Sequence, residues 1–175
     1  MNKHYFILSG FMLLCLLILV SCRSDRQQLP KPAIDNLDEK ILNANKLIVK
    51  DEAKDIELLL KRYGWKMQST GSGLYYSITD NKEGNLLQKG DKVEINYSIS
   101  LINGKEVYNS KQEGTKTIVI EQSDEPVGLH ELLKLMRVGE KAKAIIPSHL
   151  AYGILGDNNK IPPYATLIYR IEIIK

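Results

Sequence analysis

From Lys92 to Leu101 apolar and polar residues alternate without a break, with Val93, Ile95, Tyr97, Ile99 and Leu101 on one side. A period of two over that length predicts a strand with one face in a core. Asn103-Gly104 marks a hairpin turn. Val107 and Tyr108 lie on the return segment, and Thr117–Ile120 reads as another strand. Leu74–Ile78, Lys141–Ile146 and Ala165–Ile174 have the same character. In the last of these, Thr166, Ile168, Arg170, Glu172 and Ile174 face one way and Leu167, Tyr169, Ile171 and Ile173 the other. The second set is wholly apolar, so Tyr169 is expected in the core or in a cleft. The period changes once within this body. Leu129, Leu132, Leu133 and Met136 fall at i, i+3, i+4 and i+7 before Gly139, which predicts a short helix over Leu129–Met136. Several strands and one short helix predict an α+β fold, a curved sheet packed over that helix.

The first third of the chain is patterned differently. Between Ile34 and Tyr63 the apolar spacing is helical, and Ile56, Leu59, Leu60 and Tyr63 repeat one face before Gly64 stops it. These helices are expected to serve as a packing layer, a dimer arm or a contact surface for other proteins. Gly71-Ser72-Gly73 precedes a strand rather than opening a helix, so it reads as a turn and not as a phosphate loop. Residues 1–22 combine an early lysine with an unbroken apolar run from Phe11 to Val20, followed by Ser21-Cys22. That is the layout of an export signal, and the run falls short of the roughly 20 residues that span a bilayer. Leu19-Val20-Ser21-Cys22 resembles a bacterial lipobox, which implies a lipid anchor on Cys22; Leu14 makes Cys15 the poorer candidate. Several acyl chains would hold the protein at a membrane, whereas one binds only marginally. The chain thus divides into a signal peptide (1–21), a polar tether after lipidated Cys22 (22–33), a helical preface (34–70) and a folded domain (71–175).

Composition mainly removes possibilities. Of 175 residues, 24 are Lys or Arg and 21 Asp or Glu, scattered along the chain for a net charge of +3. No single basic face forms, so nucleic acid is not an expected partner. Both cysteines lie within the first 22 residues, which leaves the domain without a disulfide or thiol nucleophile. His130-Glu131 begins like a zinc-protease helix, but position 134 is Lys134, and no Gly-x-Ser-x-Gly elbow occurs. No metal and no cofactor is expected. Rotation about a prolyl bond needs none of these groups. Its barrier of about 18–20 kcal/mol comes from lost amide resonance, and an apolar pocket with a few donors can favour the twisted amide.

Near the end, Ile146-Pro147-Ser148-His149-Leu150-Ala151-Tyr152-Gly153 is answered by Ile161-Pro162-Pro163-Tyr164-Ala165-Thr166-Leu167. Prolines and glycines fix backbone direction there and present side chains from a loop. Together with Gly90-Asp91 into Tyr97, Asn103-Gly104-Lys105, Gly128-Leu129 and Val138-Gly139-Glu140-Lys141-Ala142, this set resembles the FKBP-type peptidyl-prolyl cis-trans isomerases over Lys89–Lys175. The leader, Tyr63-Gly64-Trp65 and Gly73-Leu74 resemble the gliding-motility-associated FKBP-type lipoproteins of the Bacteroidetes.

The resemblance implies a curved antiparallel sheet around the helix and a pocket of Tyr97, Tyr152, Ile161 and Tyr169, with Leu129 as floor in place of an indole. Tyr152 and Tyr97 are its candidate catalytic residues, the Tyr152 hydroxyl donating to a bound peptide carbonyl. A further pocket aromatic maps to Val107, or to Tyr108 with one residue inserted. The adjacent family aspartate becomes Tyr108 or Asn109, neither of them acidic. Lys116 stands where another aromatic is common, and Pro126 or Val127 where a backbone N–H holds ligand. Taken singly, Tyr97 and Tyr169 sit on strand faces that a core would bury anyway, whereas Tyr152 has no strand to serve. The expected clients are proline-containing polypeptides of the envelope, with protein partners reached through 34–63. The alternative is a binding scaffold with weak turnover.

Overall fold

The computed structural model describes residues 34–175; the leader, Cys22 and the tether lie outside the described residues. Where several helices were expected, one continuous helix, α1, runs Ile34–Tyr63. It ends in a glycine cap: Gly64 adopts φ 63°, and the Trp65 N–H reaches back to the Leu60 carbonyl at 3.0 Å. A left-handed residue at that position satisfies carbonyls that the helix leaves open. Residues Ile41–Lys175 form one compact unit, and the first turns of α1 belong to the other.

The strands are β1 (Gln68–Ser69), β2 (Tyr75–Thr79), β3 (Lys92–Leu101), β4 (Glu106–Asn109), β5 (Lys116–Val119), β6 (Lys141–Ile146) and β7 (Leu167–Ile173). They pair antiparallel in the order β1-β2-β6-β7-β3-β4, with β5 also on β3. Helix α2 is a single turn at Ser110–Glu113, and α3 covers Val127–Lys134. The sequence pattern carried no sign of α2, whose start is capped by the Asn109 side chain accepting from the Lys111 N–H. The expected ends of Lys92–Leu101 and Lys141–Ile146 coincide with those observed, and the other strand ends and those of α3 differ by one or two residues. Leu135 and Met136 continue α3 only through tighter bonds to Leu132 and Leu133.

The concave face of the sheet closes over α3. Val93, Ile95, Tyr97, Ile99, Ala142, Ala144, Leu167, Tyr169, Ile171 and Ile173 meet Leu129, Leu132, Leu133 and Met136 in one buried cluster. Gly128 lies close against β6 and the turn that follows it. A Cβ there would lie 2.5 Å from Ile146 Cγ2 and 3.1 Å from Leu150 Cβ. Gly128→Ala is therefore expected to overpack the core by about 1–3 kcal/mol, read as a lower midpoint in thermal unfolding.

The other face of β7, which carries Ile168, Arg170 and Glu172, is covered in part. Ile168 is buried with Ile145 beneath Ile56 and Leu59 of α1. Strand alternation alone does not reveal a helix that comes back over the second face. The C-terminal half of α1 thus packs on its own domain, while Ile41, Leu42 and Leu47 remain exposed. Among the described residues no helix is long and apolar enough to cross a membrane.

Candidate functional site

The candidate pocket residues come from five segments and meet in the core cluster on the concave face. Tyr97 from β3 and Tyr169 from β7 are buried, as are Leu129 from α3 and Ile161 from the last loop. Tyr108 and Tyr152 are half-buried and pack against the same cluster. A β-bulge interrupts β4 at the two alternative positions. Pairing steps from Ile99↔Tyr108 to Ser100↔Glu106, so Val107 is the extra residue. A bulge re-aims side chains locally, and Val107 and Tyr108 both join the core cluster. All seven sequence-predicted pocket residues belong to this cluster or pack against it.

The cleft walls are tied by carboxylates that the sequence reading did not single out. Tyr108 donates its hydroxyl to Asp157 Oδ2. The other oxygen of Asp157 accepts from the Ile161 N–H at 2.7 Å and the Asn159 N–H at 2.9 Å. This local turn (a frequent use of aspartate) carries the loop across to β4. Burial would raise the Asp157 carboxyl, but these donors outweigh it and hold the pKa below the ordinary value. On the neighbouring side the Tyr97 hydroxyl donates to Glu113 Oε2 at 3.2 Å, and Lys160 reaches Glu113 Oε1 at 3.1 Å. Lys160 also lies 4.5 Å from the centre of the Tyr108 ring. Acid is present after all, supplied by α2 and the last loop rather than at Tyr108 or Asn109.

Lys116, placed where an aromatic was expected, sits 5.5 Å from the Tyr97 ring centre and pairs with Glu125 at 2.9 Å. Glu125 is carried on the loop before α3, which His130 holds from within. His130 Nδ1 accepts from the Glu121 N–H, and its Nε2 donates to the Ser123 carbonyl at 3.0 Å. Pro126 is the N-cap of α3, so the first helical N–H belongs to Val127. Such N-terminal N–H groups have no partner within the helix.

The loop that carries Tyr152 begins at a 3₁₀ turn, Ser148–Leu150. Gly153 and Gly156 follow with φ 59° and 67°. Burial, and then the charge of Glu125, push the Tyr152 hydroxyl up to about 12. Burial likewise raises Tyr97, Tyr108 and Tyr169. All four are neutral donors near pH 7. The Tyr169 hydroxyl is sealed from solvent, and among the described residues no partner meets hydrogen-bond geometry, the neighbouring Tyr152 included. Tyr169→Phe removes that orphaned group and is expected to raise stability in a denaturant melt by on the order of 1 kcal/mol. A loss of stability would mean that the hydroxyl is paired in solution.

The sequence that builds this sheet and its helix is matched by a family model. The FKBP-type peptidyl-prolyl cis-trans isomerase model covers residues 84–174. The chain belongs to this family. Among curated FKBP-type relatives, FkpA of Buchnera aphidicola is 34% identical over 81% of this chain and 60% of its own length. A 22-kDa isomerase of Escherichia coli is 34% identical over 62% of this chain and 52% of its own length. The chain thus spans about half to three-fifths of the curated relatives it matches. The crystal structure of Escherichia coli FkpA superposes with a TM-score of 0.63 at 27% identity, covering 100% of this chain and 82% of that one. A Pseudomonas syringae isomerase, at 23% identity and a TM-score of 0.60, shares the FKBP fold.

Proposed function

We propose that the cleft rotates Xaa-Pro peptide bonds in polypeptide clients. The observation that carries this reading is the Tyr152 hydroxyl: neutral, half-buried and beside an apolar cluster of Tyr97, Leu129, Ile161 and Tyr169. A proline ring entering that cluster leaves water. The flanking carbonyl then meets a fixed donor in place of a mobile hydration shell. The twisted amide is less charge-separated than the planar one, so this environment stabilises it relative to the ground state. Each 1.4 kcal/mol or so of that difference is tenfold in rate. Val127, Ile154, Leu155 and Tyr164 are exposed apolar residues on the segments that frame the mouth, which suits polypeptide rather than a small polar substrate. The test is an isomerisation assay on a Xaa-Pro peptide with residues 23–175. A rate equal to buffer, from protein shown to be folded, overturns the proposal.

A second reading keeps the scaffold and reduces the turnover. Leu129 has no indole N–H, so one donor found elsewhere in the family is missing, and a second is missing if Pro126 rather than Val127 holds the position of the family's backbone donor. Client capture without measurable isomerisation would favour this binding role.

The chain's place in the cell is part of the same proposal. The signal at 1–21 and the lipobox at Cys22 support export and lipid anchoring at the periplasmic face of a bacterial membrane. The preface 34–70 stands before the isomerase domain 71–175, and its segment 34–63 would reach envelope partners, gliding-motility or secretion proteins among them. Cys22→Ser is expected to abolish incorporation of radiolabelled fatty acid and release the protein from membranes. Unchanged labelling would remove the anchor from the proposal.

A further inference from the structure

On the convex face of the sheet, away from the cleft, paired residues on β6 and β7 point the same way. Their register reads Ile145↔Ile168, Lys143↔Arg170, Lys141↔Glu172. The first pair lies under α1, and the last is of opposite charge, with Lys141 Nζ 3.6 Å from Glu172 and 3.8 Å from Asp80. The middle pair is different. Two cations stand directly opposite, where Cβ atoms are about 4.5–5.5 Å apart and like charges destabilise a sheet. Among the described residues neither forms an ion pair. The row continues outward through Ser77, Ser98 and Asn109, hydroxyls and an amide without a carboxylate. Lys143 lies 4.1 Å from the centre of the Trp65 ring, which attracts its charge without neutralising it. Burial, and then Arg170, lower the Lys143 pKa.

These groups line a groove of about 990 Å³ that starts at Gly64–Met67 and runs across the strands. Lys66 and Lys111 add two more cations, so five basic side chains face two carboxylates, Glu106 and Glu172. We propose that this groove binds an acidic segment of a client polypeptide, with a carboxylate bridging Lys143 and Arg170 and Trp65 covering the peptide's apolar side. Charge complementarity selects the sign of the occupant. The volume and the aromatic wall favour several residues of peptide over a lone inorganic anion. A client could then be held on one face of the sheet while its prolines enter the cleft on the other.

The chain has a single tryptophan, Trp65, so its fluorescence reports this site directly. Titration with an end-blocked hexaglutamate peptide is expected to change Trp65 emission saturably, and hexalysine is not. Binding should weaken as salt rises from about 20 mM to about 300 mM. The double variant Lys143→Gln/Arg170→Gln should bind at least about tenfold more weakly, with isomerisation of a short neutral peptide and the melting temperature no lower than in the parent. Arg170→Gln alone should give a smaller loss in the same direction, and serves if the double variant folds poorly. No saturable change with hexaglutamate overturns the proposal. So does equal affinity in the variants, or inorganic phosphate displacing the peptide at equal concentration. The readout is independent of turnover, so a silent cleft and an empty groove are distinguishable results.

Discussion

Glu52→Ala is expected to lower stability by about 2–4 kcal/mol and to reduce isomerisation as well, although Glu52 lies on α1 and outside the cleft. Its carboxylate accepts from the Ser148 N–H at 2.7 Å, from the Ser148 hydroxyl at 2.9 Å and from the Thr166 hydroxyl. Ser148 opens the loop that carries Tyr152, and Thr166 closes the segment that returns to β7. One side chain thus pins both ends of that wall. Hydrogen bonds to a charged acceptor contribute roughly 1.5–3 kcal/mol each, and a buried donor left unpaired costs about 1–3 kcal/mol. Ser148 and Thr166 are buried, so their donors cannot simply turn to water. Glu52 itself is half-buried, which lets some solvent replace it and keeps the expected loss at the lower end. Glu52→Gln retains one acceptor oxygen and should fall between parent and alanine variant. Urea unfolding followed by far-UV circular dichroism measures the first effect, and kcat/KM on a prolyl peptide the second. A midpoint equal to the parent's in Glu52→Ala would show that the clamp carries no energy.

The clamp also bears on why the helical preface exists. Ile56 and Leu59 hold α1 against the convex face, an apolar attachment that would suffice for a mere packing layer. Glu52, one turn earlier, joins that layer to the wall of the cleft. A change at the preface can therefore alter the position of Tyr152 without any contact between α1 and a substrate.

Local pattern was a good guide wherever the cause of structure was local. Alternation along Lys92–Leu101 marked β3 because a strand with one buried face needs it, and Asn103-Gly104 marked a turn because Gly104 must adopt φ 87°. The cleft aromatics were reached by resemblance rather than by periodicity. On strand faces Tyr97 and Tyr169 look like any core residue, and only the fold brings them beside Tyr152. What stayed hidden was long-range and polar. Asp157 meets Tyr108 across 49 residues, and Glu52 meets Ser148 and Thr166 across 96 and 114. A carboxylate on an exposed-looking stretch carries no mark of its partner. The acidic turn Asp157-Asn158-Asn159 did hold a signal, since aspartate there commonly bonds its own backbone. The burial of Ile168 was hidden for a related reason: strand alternation does not show that a helix folds over the second face of a sheet.

Tyr152→Phe is expected to lower kcat/KM for a prolyl peptide by about one order of magnitude, leaving fold and stability close to the parent's. A hydrogen bond made more strongly in the transition state than in the ground state is worth on the order of 1–2 kcal/mol here. Phenylalanine preserves the ring that packs on the cluster. The pH profile separates this role from one in which tyrosinate acts as a base. Burial raises Tyr152 to about 12, so the hydroxyl stays protonated across the neutral range, and kcat/KM should be flat from about pH 6 to 9. Raised folded-state values also set the direction of alkaline unfolding. The neutral tyrosines favour the fold, and their contribution is complete below the unfolded value near 10. It is lost as pH climbs from there toward about 12, where Tyr152 ionises in the folded protein. Tyr152→Phe removes one of the groups that ionise there and should blunt the alkaline loss of stability. Full activity in that variant, or an inflection of kcat/KM between pH 6 and 9 that the variant abolishes, would replace the donor by a different chemistry.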